Sequence, residues 1–109
     1  MKFDIVYTHN FEKELRQLAK KHLSVKKDIG KLLDTLETNP IQGTSIGNSC
    51  YKIRIAITSK GKGKSGGARL ITHVYVKGSL VYLLSVYDKS EQSTISEKKI
   101  KELIKAISA

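Results

Sequence analysis

Seven positively charged side chains occur in a stretch of the sequence that contains no acidic residue. The stretch runs from residue 38 to residue 87, and its cations are Lys52, Arg54, Lys60, Lys62, Lys64, Arg69 and Lys77. They supply most of the formal net charge of +10, because the rest of the chain holds thirteen Lys or Arg against ten Asp or Glu. Unneutralised cations gathered in one region of a domain repel one another unless an anion binds there. The pattern therefore predicts a polyanion or an acidic protein as a partner.

Two of these cations are expected side by side on a strand that runs from Tyr51 to Thr58. The isoleucines of this segment alternate with Lys52 and Arg54, so the two sets point to opposite faces. If the isoleucines meet the core, both cations stand on the open face of the sheet. A solvated edge strand is the ordinary interpretation. It is weakened because the neighbouring predicted strands offer no carboxylate to pair with these cations.

A glycine- and lysine-rich segment, Ser59–Gly67, follows this strand. It carries four glycines and the lysines at 60, 62 and 64. The segment does not fit the GxxxxGK[ST] pattern and leads into a strand instead of a helix, which excludes a P-loop nucleoside triphosphatase. Glycine amides and ammonium groups on a pliable backbone can approach a phosphate closely. A loop that only improves solubility is the competing interpretation.

Further candidates lie at the ends of the later strands. Arg69 begins the strand after the loop, and its planar guanidinium suits an anion bound through two hydrogen bonds. Tyr87 and Lys89 close the last predicted strand and could reach the same surface, although Tyr87 also suits a core position. His73 is an acid–base candidate by residue type, and a plain sheet residue by position.

Composition excludes several classes of protein. The 109 residues predict one domain, 1–109, with a single modest core. The single cysteine, Cys50, cannot form an internal disulfide, and the three scattered histidines offer no zinc site. No apolar run approaches the roughly 20 residues that cross a bilayer, and Asp4 stands where a signal peptide would be apolar. We expect a cytoplasmic protein that has no metal, cofactor or membrane contact.

The first half of the chain predicts a short strand and a helical hairpin. Phe3–Tyr7 alternates as a strand does. Apolar stripes from Phe11 to Ala19 and from Val25 to Leu36 predict two amphipathic helices, the first capped by Thr8 or Asn10. The second helix is expected to stop before Pro40, because a residue that precedes proline avoids the helical conformation.

The second half predicts a loop, three strands and a final helix. The loop spans Ile41–Cys50, and a capping box formed by Thr94 and Glu97 is expected to start the helix 96–108. The predicted strands are Tyr51–Thr58, Ala68–Val76 and Leu80–Tyr87. The order β-α-α-β-β-β-α predicts an α+β domain in which a curved antiparallel sheet packs on the hairpin and the C-terminal helix.

Three strings of residues resemble the RelE/ParE superfamily of bacterial toxins, and within it the HigB-type branch. They begin at Tyr51 (YKIRIA), at Gly61 (GKGKSGGARLI) and at Val81 (VYLLSVYDKSE), and the flanking helices agree in order. The resemblance implies a fold like that of microbial ribonucleases. It also implies cleavage of messenger RNA in the ribosomal A site, and neutralisation by an acidic antitoxin encoded nearby.

The resemblance also implies roles for individual residues. Arg69 matches the arginine that stabilises the scissile phosphate, and Lys89 matches a basic residue after the last strand. The basic sheet positions of the family fall on Lys52 and Arg54. Its RNA-contacting loop positions fall on Lys62 and Lys64, and we group Lys60 and Lys77 with these RNA-binding residues.

One position departs from the family pattern. A tyrosine often follows the matched arginine by two or three residues, where this chain has Thr72 and His73. That leaves the base-stacking role to Tyr75 or Tyr87.

The combined interpretation is a metal-independent endoribonuclease. The ribose 2′-hydroxyl attacks the adjacent phosphorus, and clustered cations stabilise the charge that develops on the phosphoryl oxygens. Lys52 or Lys64 is the predicted general base, Arg69 the phosphate clamp, and Lys89 the acid or leaving-group stabiliser, with Tyr87 as a further catalytic candidate. A ParE-type gyrase inhibitor and a non-catalytic RNA-binding domain are the alternatives, although the low aromatic content of 6% speaks against stacking-based binding.

Overall fold

The computed structural model describes residues 2–61 and 63–108. Eight helices and strands follow one another in these segments, and a short 3₁₀ turn at Thr58–Lys60 follows the third strand. They are β1 (Asp4–Tyr7), α1 (His9–Lys21), α2 (Val25–Leu36), β2 (Thr44–Gly47), β3 (Cys50–Ile55), β4 (Ala68–Tyr75), β5 (Leu80–Asp88) and α3 (Glu97–Ser108). The predicted α+β class is confirmed.

The helical hairpin begins and ends where the sequence predicts. The Thr8 side chain caps α1 by accepting a hydrogen bond from the Phe11 amide over 3.2 Å. His22 ends this helix in an extended conformation, and its amide still donates to the Leu18 carbonyl. The helix α2 stops at Leu36, before Pro40.

The five strands form one mixed sheet in the order β1-β5-β4-β3-β2. The expectation of a wholly antiparallel sheet was wrong at one edge, because β1 runs parallel to β5, with Asp4 opposite Leu80. The predicted loop Ile41–Cys50 also contains β2, an edge strand that pairs with β3. Its run of Gly, Ser and Thr gave no apolar alternation to reveal it.

Each face of the sheet carries its own apolar cluster. The hairpin face buries fifteen apolar residues, and its centre includes Phe11, Ile29 and Leu70. The opposite face buries only six, among them Ile100 and Leu103 of α3. The isoleucines of β3 meet the hairpin as predicted. The C-terminal helix, however, lies on the cation-bearing face, so this face is partly covered.

The start of α3 differs from the predicted capping box. The Ser96 hydroxyl accepts a hydrogen bond from the Lys99 amide over 3.1 Å, which makes Ser96 the capping residue. Thr94 lies outside this cap, and the Gln92 side chain donates to its carbonyl.

Candidate nucleic-acid interface

Strand pairing brings two arginines and a tyrosine into one row across the sheet. Arg54 of β3 lies opposite Arg69 of β4, which in turn lies opposite Tyr87 of β5. Directly opposed residues have Cβ atoms about 5 Å apart. Lys52 occupies the next position on the same face of β3, opposite Ile71. Residues that are far apart in the sequence therefore lie side by side on this face, and we call the part formed by Lys52, Arg54 and Lys64 the basic surface.

Arg69 is the buried member of this row, with 5% of its surface exposed. Its guanidinium donates to the carbonyls of Lys64, Ala68 and Ser65 over 2.9, 3.1 and 3.3 Å. In this arrangement Arg69 holds the end of the glycine-rich loop, and contact with a phosphate would require it to release these carbonyls. Its role as a phosphate clamp stays a prediction.

Tyr87 is also buried, and its hydroxyl has no hydrogen-bond partner among the described residues. The ring packs in the cluster that includes Ile100 and Leu103, so α3 covers it. Burial raises the pKa of Tyr87, and the nearby charge of Arg69 partly offsets the rise. The Tyr87 hydroxyl is thus neutral near pH 7, and RNA could reach it only after α3 moves.

The start of the loop is fixed by a buried carboxylate that the sequence analysis did not place. Asp88 is the last residue of β5 and is 5% exposed. One of its oxygens accepts from the Lys60 ammonium over 2.9 Å, and the other lies 3.0 Å from His22 Nε2. The Ser90 amide and hydroxyl complete its shell.

This ion pair corrects two expectations. Lys60 is not an unneutralised cation, because it is bound to Asp88 and its side chain is only 11% exposed; its RNA-binding role stays a prediction. A carboxylate does lie beside the basic segment, since β5 extends one residue past Tyr87. Burial tends to raise the pKa of Asp88, but hydrogen bonds from Lys60, Ser90 and His22 outweigh it and hold that pKa well below its usual value.

A second carboxylate, Asp28 of α2, holds the 3₁₀ turn against the helical hairpin. It accepts from the Thr58 amide over 2.9 Å, from the Thr58 hydroxyl over 2.6 Å and from the Ser24 hydroxyl over 2.7 Å. Burial opposes the charge on Asp28, yet hydrogen bonds from Thr58 and Ser24 lower its pKa. Both acids therefore stay ionised and anchor the loop at neutral pH.

The far end of the loop is fixed by close backbone contacts. The Lys89 amide donates to the Gly67 carbonyl over 3.0 Å. A Cβ atom at Gly67 would collide with the carbonyl oxygen of Ile55, so glycine is required there. The loop is thus held at both ends, while Gly63, Lys64 and Ser65 between them are exposed.

The remaining predicted site residues divide by position. Arg54 and Lys64 are exposed, and Lys52 and Lys89 are half-buried near the same end of the sheet. Lys62 lies outside the described residues. Lys77 lies in the turn between β4 and β5, at the end of β4 away from the loop, roughly 20 Å along the strand. The structure therefore separates Lys77 from the basic surface, and its grouping with the RNA-binding residues stays a prediction that this position does not support.

The two proposed stacking residues are also separated. Tyr75 is 48% exposed but ends β4 on the side of Lys77, whereas Tyr87 is buried. His73 lies with its ring 6.1 Å from that of Tyr82 and its Nδ1 3.5 Å from the Cys50 sulfur. Burial raises the pKa of Cys50 to about 11, so this thiol is not a nucleophile at neutral pH.

The described part of the chain holds no group of three or more His, Cys, Asp or Glu side chains arranged to hold a metal ion. Within the same segments, no helix is long and apolar enough to span a membrane.

The fold has clear relatives among solved structures. A double mutant of the E. coli toxin RelE in the free state superposes with a TM-score of 0.66 at 23% identity, over 98% of this chain and 99% of that one. The isolated E. coli RelE toxin gives a TM-score of 0.55 at 26% identity, over 96% of this chain and 98% of that one. The chain therefore has the fold of these two structures, a small α+β domain.

The family itself is established by sequence. A family model described as the RelE toxin of the RelE/RelB toxin–antitoxin system matches residues 4–109. This match spans nearly the whole chain, and the protein belongs to the RelE toxin family. The finer placement in the HigB-type branch stays a prediction.

Proposed function

We propose that this RelE-family toxin is an endoribonuclease that cuts messenger RNA at the ribosome and so inhibits translation in the cytoplasm. The observation that carries the proposal is the basic surface of Lys52, Arg54 and Lys64, which lies beside the buried Arg69 and Tyr87. The nearest carboxylates, Asp28 and Asp88, do not form ion pairs with these cations. Asp28 accepts hydrogen bonds from Thr58, and Asp88 accepts from Lys60. The exposed cations are left for an external polyanion.

The proposed reaction forms a 2′,3′-cyclic phosphate. The side-chain amine of Lys52 or Lys64 takes the proton of the ribose 2′-hydroxyl, whose oxygen then bonds to the adjacent phosphorus. The bond from phosphorus to the 5′-oxygen breaks, and Lys89 supplies a proton to that leaving oxygen. Cations that are fixed before the reaction stabilise the extra phosphoryl charge of the transition state. Every step is a proton or phosphoryl transfer, for which these residues suffice.

The structure favours a division of labour between the two arginines. Arg54 is exposed and free to meet the phosphate, whereas Arg69 is buried against three loop carbonyls. We assign Arg54 to the first contact with the scissile phosphate. Arg69 positions the loop that carries Lys64, and contacts the phosphate only if the loop rearranges.

The proposed protein partner is an acidic antitoxin. It would cover the basic surface or displace α3, which is anchored by the smaller of the two apolar clusters. Opposite charge accelerates the encounter of two such chains.

The test is to map messenger RNA ends in cells after brief induction of the toxin. Wild-type protein and Lys77→Ala should both give cuts phased with the reading frame, because Lys77 lies away from the basic surface. A variant that carries both Lys52→Ala and Lys64→Ala should give none while remaining folded. DNA damage with intact transcripts would instead indicate a gyrase inhibitor.

A further inference from the structure

A groove beside the basic surface has no assigned role. It lies between α2 and the edge of β3, and encloses about 430 Å³. Its cationic lining residues are Lys31, Arg54 and Lys64, and its apolar floor includes Leu32 and Ile55. Two of the cations belong to the proposed cleavage site, but Lys31 comes from the helical hairpin.

The groove exists because the edge strand β2 is short. It pairs with β3 only as far as Lys52, so residues 53–55 have no strand partner on that side within the described segments. The Gln42 side chain donates to the Thr35 hydroxyl over 2.9 Å and to the Asn39 carbonyl over 2.8 Å. These contacts fix the end of the groove that lies away from the loop.

The charged residues that line the groove are mainly positive. Asp28 is the one acid among its lining residues, and its two oxygens are occupied by Thr58 and Ser24. The charge of Asp28 also acts on the nearby Lys31, but Lys31 and Lys64 are both exposed, and the lining as a whole stays positive. Three cations against one engaged carboxylate suit the regularly spaced phosphates of a nucleic acid strand.

We propose that this groove binds the sugar–phosphate backbone of the RNA strand where it continues past the cleavage site, with Lys31 as a phosphate contact. The proposal rests on the proposed function, since Arg54 and Lys64 join the groove to the cleavage site. The proposal adds a binding residue on the hairpin. It also predicts that an RNA long enough to fill the groove binds more tightly than an RNA that ends at the cleavage site.

The experiment measures binding of labelled oligoribonucleotides to Lys31→Ala, with a 2′-deoxy residue at the scissile position to prevent cleavage. Lys26→Ala is the matched control, because Lys26 is an exposed lysine on the same helix, about 140° further round its axis. Lys31→Ala should weaken binding of a 12-residue RNA by about 3- to 10-fold. The plot of log K against log salt should become less steep, with a slope smaller in magnitude by about 0.7, the value of one phosphate contact to a single strand.

A trinucleotide that ends at the cleavage site separates the groove from the site itself. Lys31→Ala should bind it as the wild type does, and Lys26→Ala should match the wild type on both RNAs. Equal weakening on the trinucleotide and the long RNA would overturn the groove assignment, since Lys31 would then act on the site as a whole.

Two other results would also overturn the proposal. Unchanged affinity of Lys31→Ala for long RNA, with the wild type binding well, would refute the groove alone. If that variant instead lost affinity for an acidic extended peptide, the groove would be a protein-docking site. Failure of the wild type to bind any RNA would refute the proposed function together with the groove.

Discussion

The two faces of the sheet are built for different purposes. The hairpin face is sealed by two helices over fifteen buried apolar residues. The other face has one helix over six, and it shares its area with Arg54, Arg69 and Lys52. Burial of apolar surface is the main stabilising contribution to folding. The contrast indicates that the hairpin face supplies most of the buried core, while the other, basic face leaves part of its area to cations.

The largest expected effect is a loss of stability when the core of the hairpin face is disrupted. Phe11→Ala removes a fully buried ring from the hairpin face and should lower the free energy of unfolding by about 3–5 kcal/mol. Leu103→Ala, in the smaller cluster where the side chain is 8% exposed, should cost about 2 kcal/mol. Urea denaturation of both variants checks the ranking. Equal losses would mean that α3 is as integral to the core as the hairpin.

The next largest effect on stability is expected at the ion pair between Lys60 and Asp88. Asp88→Asn keeps the side-chain shape but leaves the buried ammonium of Lys60 without its counter-ion, and should cost about 3 kcal/mol at pH 7. Folding lowers the pKa of Asp88, so the stability it provides is present above pH about 4 and is lost as pH falls further. Denaturation at several pH values should therefore show a shallower acid loss in Asp88→Asn. Parallel curves would contradict this role.

Catalysis should respond to the basic face with little change in stability. Of Lys52→Ala and Lys64→Ala, the one that removes the general base should lower kcat by about 100-fold. The other should mainly raise KM. Single-turnover cleavage assays separate the two cases, and unchanged thermal melting confirms that the fold is intact. If both variants kept the wild-type kcat, neither lysine would be the general base.

The smallest expected effect is the salt dependence of binding. With four or five phosphate contacts on the basic face, log K for single-stranded RNA should fall against log salt with a slope of about −3. Filter binding over a salt series gives this slope. A slope near −1 would mean that the cations of this face meet solvent or an acidic protein instead of RNA.

Much of this molecule follows from local patterns in the sequence. The helical stripes and the isoleucine strand predict the hairpin face, because periodicity reports which side of an element is apolar. The edge strand β2 was missed since its polar composition shows no alternation. The Lys60–Asp88 pair was missed because its partners are 28 residues apart and meet only through the tertiary fold.

The candidate site was predictable in residue type and only partly in position. Lys52, Arg54 and Lys64 lie together as the strand and loop patterns indicated. Lys77 does not, since strand length carries it to the other end of the sheet. Lys31 gave no signal at all, because a lone lysine on an amphipathic helix looks like any solvated residue. Lys31 becomes a candidate only once β2 is known to be short, because the groove that Lys31 lines lies beside the unpaired part of β3.

The parallel pairing of β1 with β5 constrains how the chain is assembled during synthesis. Asp4 leaves the ribosome early, but its partner Leu80 follows only after most of the chain has been made. Contacts between such distant residues form late, because the intervening loop must first lose its conformational freedom. The hairpin can form early, whereas this edge of the sheet closes only after β5 has been made. Pulse-labelled hydrogen exchange should show amides of β1 protected after those of β3 and β4. The edge formed by β1 and β5 is thus expected to be the last part of the sheet to form.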